Sequence, residues 1–160
     1  LNNLAELYRN QGQYTLAEPL CNRALAIREK AFGPDNIDVA VSLNNLALLY
    51  HSQGKYAQAE SLYKRALAIR EKALAPNHPN VGQSLNNLAL LYAAQGKYGQ
   101  AEPMYRRSLA ITEKALGSNH PDVALSLDNY ADLLEATNRS NDTAKLHKRA
   151  EAIRTHNRSP

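Results

Sequence analysis

The chain repeats itself every 42 residues. LNNLAELY begins at Leu1, LNNLALLY at Leu43 and again at Leu85, and LDNYADLL at Leu127. A fixed period of this size is typical of a stacked array, because each unit lends its apolar face to the next. The period therefore predicts one array over residues 1–160, with repeats at 1–42, 43–84, 85–126 and 127–160.

Each repeat reads as a pair of helices. In the second repeat the apolar residues from Asp38 to about Ser52 follow a helical spacing. Gly54 suits the left-handed turn that ends a helix, and a second apolar-faced helix is expected from about Lys55 to Leu74. Pro79 then fits the first turn of the next helix. The sequence predicts an all-α fold of about eight helices, stacked as antiparallel hairpins in a right-handed α-solenoid.

Composition narrows the classes of function. Hydrophobic residues make up 44% and charged residues 21%, and the only cysteine is Cys21. We see no secretory signal and no run near the roughly 18 apolar residues that span a bilayer, so we expect a cytoplasmic protein without a membrane segment. The net charge of +4 is spread over every repeat, which makes nucleic-acid binding an unlikely use of this surface.

The common sequence signatures of catalysis are missing. The chain has no G-x-x-x-x-G-K-S/T loop, no H-E-x-x-H and no paired cysteines. His78 and His120 share a repeat position beside prolines, where a helix-start role is the better interpretation. We therefore expect no enzyme, with no catalytic residues, no cofactor and no metal.

The second repeat carries a family resemblance. The pattern of Gly54, Tyr56, Ala59, Tyr63 and Ala66 resembles the tetratricopeptide repeat (TPR) signature. The longer period and the phrases LNNLALLY, QGKY and RALAIREKAL resemble the kinesin light chain subclass of that family. The resemblance covers essentially the whole chain and implies a TPR superhelix that acts by binding other proteins.

The two terminal repeats depart from this pattern. In the fourth repeat Asn138 replaces Gly, Ser140 and His147 replace Tyr, and Thr143 replaces Ala. Its last helix is more polar, as a capping repeat with a solvated outer face needs to be. The first helix, Leu1 to Asn10, leaves apolar positions uncovered, so we expect it to fray or to pack against a second copy.

The resemblance also implies which first-helix residues face a concave binding groove. These partner-binding candidates are Asn2, Glu6, Arg9, Asn44, Leu48, His51, Asn86, Leu90, Asp128, Asp132 and Glu135. The second asparagine of each pair would tie adjacent helices instead; these are Asn3, Asn45, Asn87 and Asn129. A row of asparagines offers donors and acceptors to the backbone of an extended peptide, although the same residues could merely keep an open face soluble.

The leading hypothesis is a protein–protein interaction scaffold that binds a peptide or partner segment in this groove. The groove has polarity, with Arg9 at one end and Asp128 and Asp132 at the other. We expect a ligand with an apolar centre and a basic part near the two aspartates. The alternatives are self-association through the first repeat, as a homodimer or end to end, and, less favoured, RNA binding.

Overall fold

The computed structural model describes residues 1–157, and within them the chain is all-helical. Its helices are α1 (Asn2–Asn10), α2 (Tyr14–Phe32), α3 (Ile37–Ser52), α4 (Tyr56–Ala73), α5 (Pro79–Ala94), α6 (Tyr98–Leu116), α7 (Pro121–Ala136) and α8 (Ser140–His156). Sequence-adjacent helices pair as hairpins, so the prediction of an all-α fold built from eight helices is confirmed.

The helices fall into two compact units. The first unit runs from Leu1 to Leu74 and the second begins at Ala75. In the first unit α1 packs on α2, α2 on α3 and α3 on α4, and α1 also lies beside α3. The second unit repeats this arrangement with α5 to α8. Each unit therefore presents two first helices side by side, with the second helices behind them.

Side-chain caps begin three of the first helices. His78 Nδ1 accepts the backbone N–H of Asn80 at 3.1 Å, and His120 Nδ1 accepts that of Asp122 at 3.2 Å. Asn36 Oδ1 does the same for α3 at 2.8 Å, although its repeat has no His-Pro pair. Such caps satisfy backbone donors that lack a partner in the first turn. The helix-start role predicted for the two histidines is confirmed.

A left-handed residue follows the end of each first helix. Gly12, Gly54 and Gly96 all have φ +72°, a conformation that glycine adopts without steric cost. The fourth repeat has Asn138 at this position, with φ +59°. Asparagine is the side chain that tolerates this region best after glycine, which explains how the fourth repeat keeps the turn.

Small residues let the paired helices approach closely, and two tyrosines fill the space beside them. Ala17, Ala59 and Ala101 share a repeat position and are each 0% exposed. Tyr63 and Tyr105, which also share a position, are 0% and 2% exposed. Burying an aromatic ring of this size contributes strongly to a helical core, so these tyrosines help to hold the paired helices together.

Polar clasps join successive hairpins within the first unit. Glu18 on α2 accepts a hydrogen bond of 3.1 Å from the Tyr50 hydroxyl on α3, and Lys55 lies 3.5 Å from the same carboxylate. A second pair joins Glu29 on α2 to Arg65 on α4 at 2.7 Å. All four charged side chains are partly solvated, so each pair adds at most about 1 kcal/mol.

The second unit has the same two clasps. Glu102 on α6 lies 2.7 Å from Arg139 and accepts a hydrogen bond of 2.9 Å from the Tyr130 hydroxyl. Glu113 on α6 pairs with Arg149 on α8 at 2.5 Å. Because the charged partners of both clasps stand at equivalent repeat positions, the charge pattern of the repeat helps to set the packing of one hairpin against the next.

Candidate functional site

Four of the predicted groove residues line one small pocket in the first unit. Asn2, Glu6 and Arg9 on α1 and Leu48 on α3 surround a cavity of about 30 Å³. Their spacing along each helix puts them on the side where α1 and α3 lie next to each other. The pocket thus combines an amide, an acid, a base and an apolar side chain within one repeat interface.

Asn45, and not Asn44, completes this pocket. Asn45 lines it from α3, whereas Asn44 is only 6% exposed. Ser42, Leu43 and Asn44 are consecutive and all buried, so the buried arc of α3 is wider than that of α1, where Asn2 stays half-buried. The groove interpretation placed Asn44 among the ligand contacts, but its burial leaves little of its side chain for a ligand.

The buried thiol and hydroxyl groups in this region are unreactive at neutral pH. Cys21 lines the pocket and is 3% exposed, and burial raises the pKa of its thiol. A thiol held in its neutral form is a poor nucleophile, which supports a structural role for Cys21. Outside the pocket lining, the buried Tyr63 hydroxyl also has a raised pKa because of desolvation. Neither group is prepared for proton transfer at neutral pH.

His51 lies at the end of α3. Its ring contacts Tyr56 edge-on, with centroids 5.8 Å apart. Burial lowers the pKa of this imidazole, so the neutral ring is favoured. At neutral pH His51 therefore offers a ligand a hydrogen-bonding aromatic surface without a charge.

In the second unit the predicted residues separate into two places. Asn86 on α5 accepts a hydrogen bond of 3.2 Å from Asn129 Nδ2 on α7. This bond is of the kind that the resemblance implied for the second asparagine, since it ties adjacent first helices. Asn86 also lines a cleft of about 300 Å³ between α5, α6 and α7. Leu90 is half-buried one turn further along α5.

Asp128 already has a cationic partner. Its carboxylate contacts the Arg154 guanidinium of α8, and His147 Nδ1 lies 3.5 Å away on the same helix. The negative charge of Asp128 is therefore largely balanced within the chain. The acidity of α7 beyond Asp128 comes from the residues that follow it on the helix.

Asp132 and Glu135 supply that acidity, and His147 lies next to them. One ligand atom from each of the three residues lies within 4.8 Å of the other two, and all three side chains are exposed. Carboxylate and imidazole groups are ligands for divalent transition metals, so these residues could hold such an ion. The sequence interpretation included both acids but treated His147 only as a departure from tyrosine.

Similarity to known proteins agrees with the repeat geometry. The tetratricopeptide repeat family matches residues 1–72, 54–114 and 80–156. The chain belongs to the TPR family. TPR domains generally bind protein partners and are typically non-catalytic.

The chain is similar to solved TPR structures. A crystal structure of nearly identical TPR-like repeats, from a Podosopora anserina protein described as a kinesin light chain, is 27% identical with a TM-score of 0.85 over 99% of this chain and 74% of that chain. BtubC (BKLC) from P. vanneervenii is 26% identical with a TM-score of 0.87, over 98% of this chain and 63% of that chain. The expected kinesin light chain-like character is confirmed.

A more distant likeness shows the fold alone. Aspartyl phosphate phosphatase F from Bacillus subtilis is 18% identical, with a TM-score of 0.83 over 96% of this chain and 39% of that chain. No curated protein sequence matches the chain. In the part that the structure describes, the TPR helices are either too short or too polar to cross a membrane.

The 300 Å³ cleft is the feature that sequence reasoning missed. Its signal was present in the third TPR, where RSLAITEKA stands in place of RALAIREKA. Ser108 and Thr112 are the two changed residues, and both line the cleft. The interpretation of the groove used only first-helix positions, so a change on the second helix carried no weight.

Proposed function

We propose that this TPR chain is a protein–protein interaction module that binds an extended peptide or partner segment along its first helices. In each unit the contact surface would be the side where two first helices lie next to each other. Binding requires little rearrangement, because packed helices hold the side chains in place and few groups are ordered on association.

The observation that carries the proposal is the first-unit pocket. The TPR resemblance implied Asn2, Glu6, Arg9 and Leu48 as groove residues, and these four line the same cavity. A surface that only kept the protein soluble would have no reason to gather an amide, an acid, a base and a leucine at one interface. The cavity of about 30 Å³ is far below the roughly 300–1,000 Å³ of a ligand pocket, so these side chains would serve as a contact surface for a peptide and would not enclose it.

The charges of the two units suggest what the ligand carries. Arg9 is the basic group of the first-unit pocket, and Asp132 and Glu135 are exposed acids in the second unit. We infer an acidic or polar group opposite Arg9, an apolar residue near Leu48, and a basic group near Asp132.

A peptide library displayed on phage tests the proposal. Enriched peptides would be synthesised with a fluorescent label and their affinities measured by fluorescence polarisation. Arg9→Glu is expected to weaken binding at least about tenfold, the effect of losing about 1.4 kcal/mol from a charged hydrogen bond. Lys30→Glu makes the same charge change at an exposed position of α2 outside the pocket, and it should leave affinity within about twofold.

Two results would contradict the proposal. A library that enriches no peptide would contradict peptide binding. Equal effects of Arg9→Glu and Lys30→Glu on affinity would contradict the assignment of the first-unit pocket as the binding site. Circular dichroism of both variants keeps the comparison valid, since each should retain the helical spectrum of the parent chain.

Self-association is the second candidate, and the exposed face of α1 favours it. Leu1, Leu4 and Leu7 are 49%, 43% and 51% exposed, whereas their counterparts Leu43, Leu46 and Leu49 are 0% to 3% exposed. A second copy could cover this face by a two-fold contact. Light scattering over a range of concentrations should then show a dimer that Leu4→Ser with Leu7→Ser returns to monomer, and a monomer throughout would exclude it.

We also propose that the module acts in the cytoplasm and carries out no chemistry. The single buried cysteine and the lack of sequence signatures of catalysis support this interpretation. Fractionation of the source cells followed by immunoblotting tests the first point, and recovery of the protein outside the cytoplasmic fraction would contradict it.

A further inference from the structure

The proposed function leaves unused a cleft in the second unit. It lies between α5, the C-terminal half of α6 and the start of α7, and its volume is about 300 Å³. That volume is at the lower end of the range for ligand pockets, about 300–1,000 Å³. The lining residues that matter here are Asn86, Ser108, Thr112, Asp122, Leu125 and Ser126.

Comparison of the repeats explains why space exists there. The residue equivalent to Thr112 is arginine in the other three repeats, as Arg28, Arg70 and Arg154. A threonine is several heavy atoms shorter than an arginine. The third repeat thus lacks a side chain that the same position supplies elsewhere.

The first unit shows where such an arginine points. Arg28 Nη1 donates a hydrogen bond of 2.7 Å to Ser42 Oγ, across the interface from α2 to α3. The residue equivalent to Ser42 in the next-but-one repeat is Ser126, and both Ser126 and Thr112 line the cleft. The cleft therefore occupies the path that an arginine side chain follows between equivalent helices of the first unit.

The hydroxyl groups of the cleft are arranged as acceptors. Ser108 donates to Gly82 O at 2.8 Å, Thr112 donates to Ser108 O at 2.9 Å, and Ser126 donates to Asp122 O at 2.9 Å. Each hydroxyl proton is thus committed to a backbone carbonyl. The hydroxyl oxygens retain lone pairs, so the wall favours a ligand group rich in donors.

Charge and shape favour the same kind of group. The Asp122 carboxylate is 65% exposed at the cleft, its neighbour His120 lies 3.8 Å away, and no lysine or arginine belongs to the lining among residues 1–157. Leu125 is 59% exposed and offers apolar surface for a methylene chain. A guanidinium has five donors and no acceptor, and an arginine stem is apolar.

We propose that this cleft binds the arginine side chain of a peptide partner, which takes the place of the arginine that the third repeat lacks. The proposal rests on the proposed function, because it assigns one side chain of the ligand that the first helices would bind. Asn86 and Leu125 lie on first helices, so a peptide on that face could insert an arginine without leaving it.

Nuclear magnetic resonance with acetyl-arginine amide tests the cleft without knowledge of the full ligand. We expect saturable shifts of the Thr112 and Ser126 amide resonances. Acetyl-citrulline amide, which has the same shape without the charge, should bind at least about tenfold more weakly, as expected for the loss of a charge-assisted hydrogen bond.

Thr112→Arg is the decisive variant. It restores the residue of the other repeats, fills the cleft from within, and should abolish the shifts without lowering the melting temperature. Gln100→Arg adds the same charge at an exposed position of α6 outside the cleft and should leave the shifts intact. Thr112→Val keeps the size of the side chain and removes the acceptor. It tests the contribution of the hydroxyl to binding and should weaken binding several-fold.

The outcomes separate this inference from the proposed function. Unchanged resonances with acetyl-arginine amide, or binding that survives Thr112→Arg, would overturn the arginine site. Peptides selected from the library should share an arginine whose preference disappears in Thr112→Arg. Enriched peptides without an arginine preference would overturn the site while the proposed function stands. An empty library with shifts at Thr112 would overturn the peptide function and retain the guanidinium site.

Discussion

The hydroxyl of Tyr130 donates a hydrogen bond of 2.9 Å to the carboxylate of Glu102, across the interface from α7 to α6. The first unit makes the equivalent bond from Tyr50 to Glu18. Yet Tyr130 does not hold the position of Tyr50 in its repeat, which Leu134 occupies one turn later. The fourth repeat has moved its tyrosine along the helix and has kept the acceptor, so the clasp persists where the repeat sequence departs most.

Glu102 should make stability depend on pH below neutrality. The hydrogen bond from Arg139, followed by those from Tyr130 and Arg106, holds the pKa of this carboxyl below its usual range. A carboxyl with a lowered folded pKa contributes stability above its unfolded pKa of about 4.3 and loses it as pH falls through the folded value. Glu102→Gln should therefore cost about 1 kcal/mol at pH 7, and the difference from the parent chain should shrink below about pH 4.

Urea denaturation at pH 7, 5, 4 and 3 measures this difference. Glu151→Gln changes an exposed glutamate of α8 and serves as the control, with a stability curve that stays close to that of the parent chain. If Glu102→Gln also ran parallel to the parent curve over the whole range, the clasp would add nothing to stability.

Replacement of tyrosine by phenylalanine should change the free energy of unfolding in opposite directions at two positions. Tyr63 is fully buried, and within residues 1–157 no partner accepts its hydroxyl proton. Tyr63→Phe removes a desolvated polar group and should raise the free energy of unfolding by about 1 kcal/mol. Tyr130→Phe removes the bond to Glu102 and should lower it by about 1 kcal/mol.

Equilibrium unfolding of the two variants beside the parent chain gives both values from one experiment. A loss of stability in Tyr63→Phe would mean that its hydroxyl makes a contact that the packing does not reveal. Equal changes in the free energy of unfolding at both positions would contradict the claim that the hydrogen bond of Tyr130 makes its hydroxyl stabilising and that of Tyr63 not.

The repeat period was enough to predict the helices. The helical spacing of apolar residues in one repeat predicted its helices, and Gly54 and Pro79 predicted where one helix ends and the next begins. These features are local properties of the chain, so they can be read without knowledge of the packing. The helix-start role of His78 was also readable, since a side chain just ahead of a helix can cap it in any tertiary setting. The fold can be predicted from the sequence where the local rules for helix ends and the repeat period indicate the same helices.

The binding residues were harder to predict, because burial depends on neighbours. Asn2 and Asn44 share a repeat position, but Asn2 lines a pocket and Asn44 is 6% exposed. The cleft at Thr112 arises from one missing side chain, which matters only because α5 and α7 enclose the space. A repeat position therefore predicts a direction along the helix, whereas the packing decides whether a ligand can reach the residue.

His51 should titrate below the ordinary range for histidine. Desolvation by burial favours the neutral ring and lowers its pKa from the usual value of about 6.5. Folding then disfavours protonation, so this residue removes stability as pH falls through 6.5 towards 5. His51→Phe keeps an aromatic ring that cannot titrate, and its stability should fall less than that of the parent chain between pH 7 and pH 5.

Imidazole proton resonances followed against pH give the pKa of His51 directly, and the His51→Phe spectrum assigns the signal. Urea denaturation of both proteins at pH 7 and pH 5 supplies the stability half of the test. A His51 pKa at or above about 6.5 would show that the ring is solvated and that its burial does not control its charge.

Asn138 should be replaceable by glycine but not by alanine. Its φ of +59° lies in the left-handed region that Gly12, Gly54 and Gly96 adopt in the other repeats. A residue with a Cβ atom pays about 1–2 kcal/mol there, and asparagine recovers part of this through its short polar side chain. Asn138→Ala should lower the free energy of unfolding by about 1 kcal/mol, whereas Asn138→Gly should stay within about 0.5 kcal/mol of the parent chain.

Urea denaturation of three variants tests this prediction, with Asn141→Ala, at an exposed position of α8, as the control for losing an asparagine. An alanine variant as stable as the glycine variant would mean that the turn between α7 and α8 relaxes out of the left-handed region at no cost, and that the fourth repeat does not need the backbone of the other three.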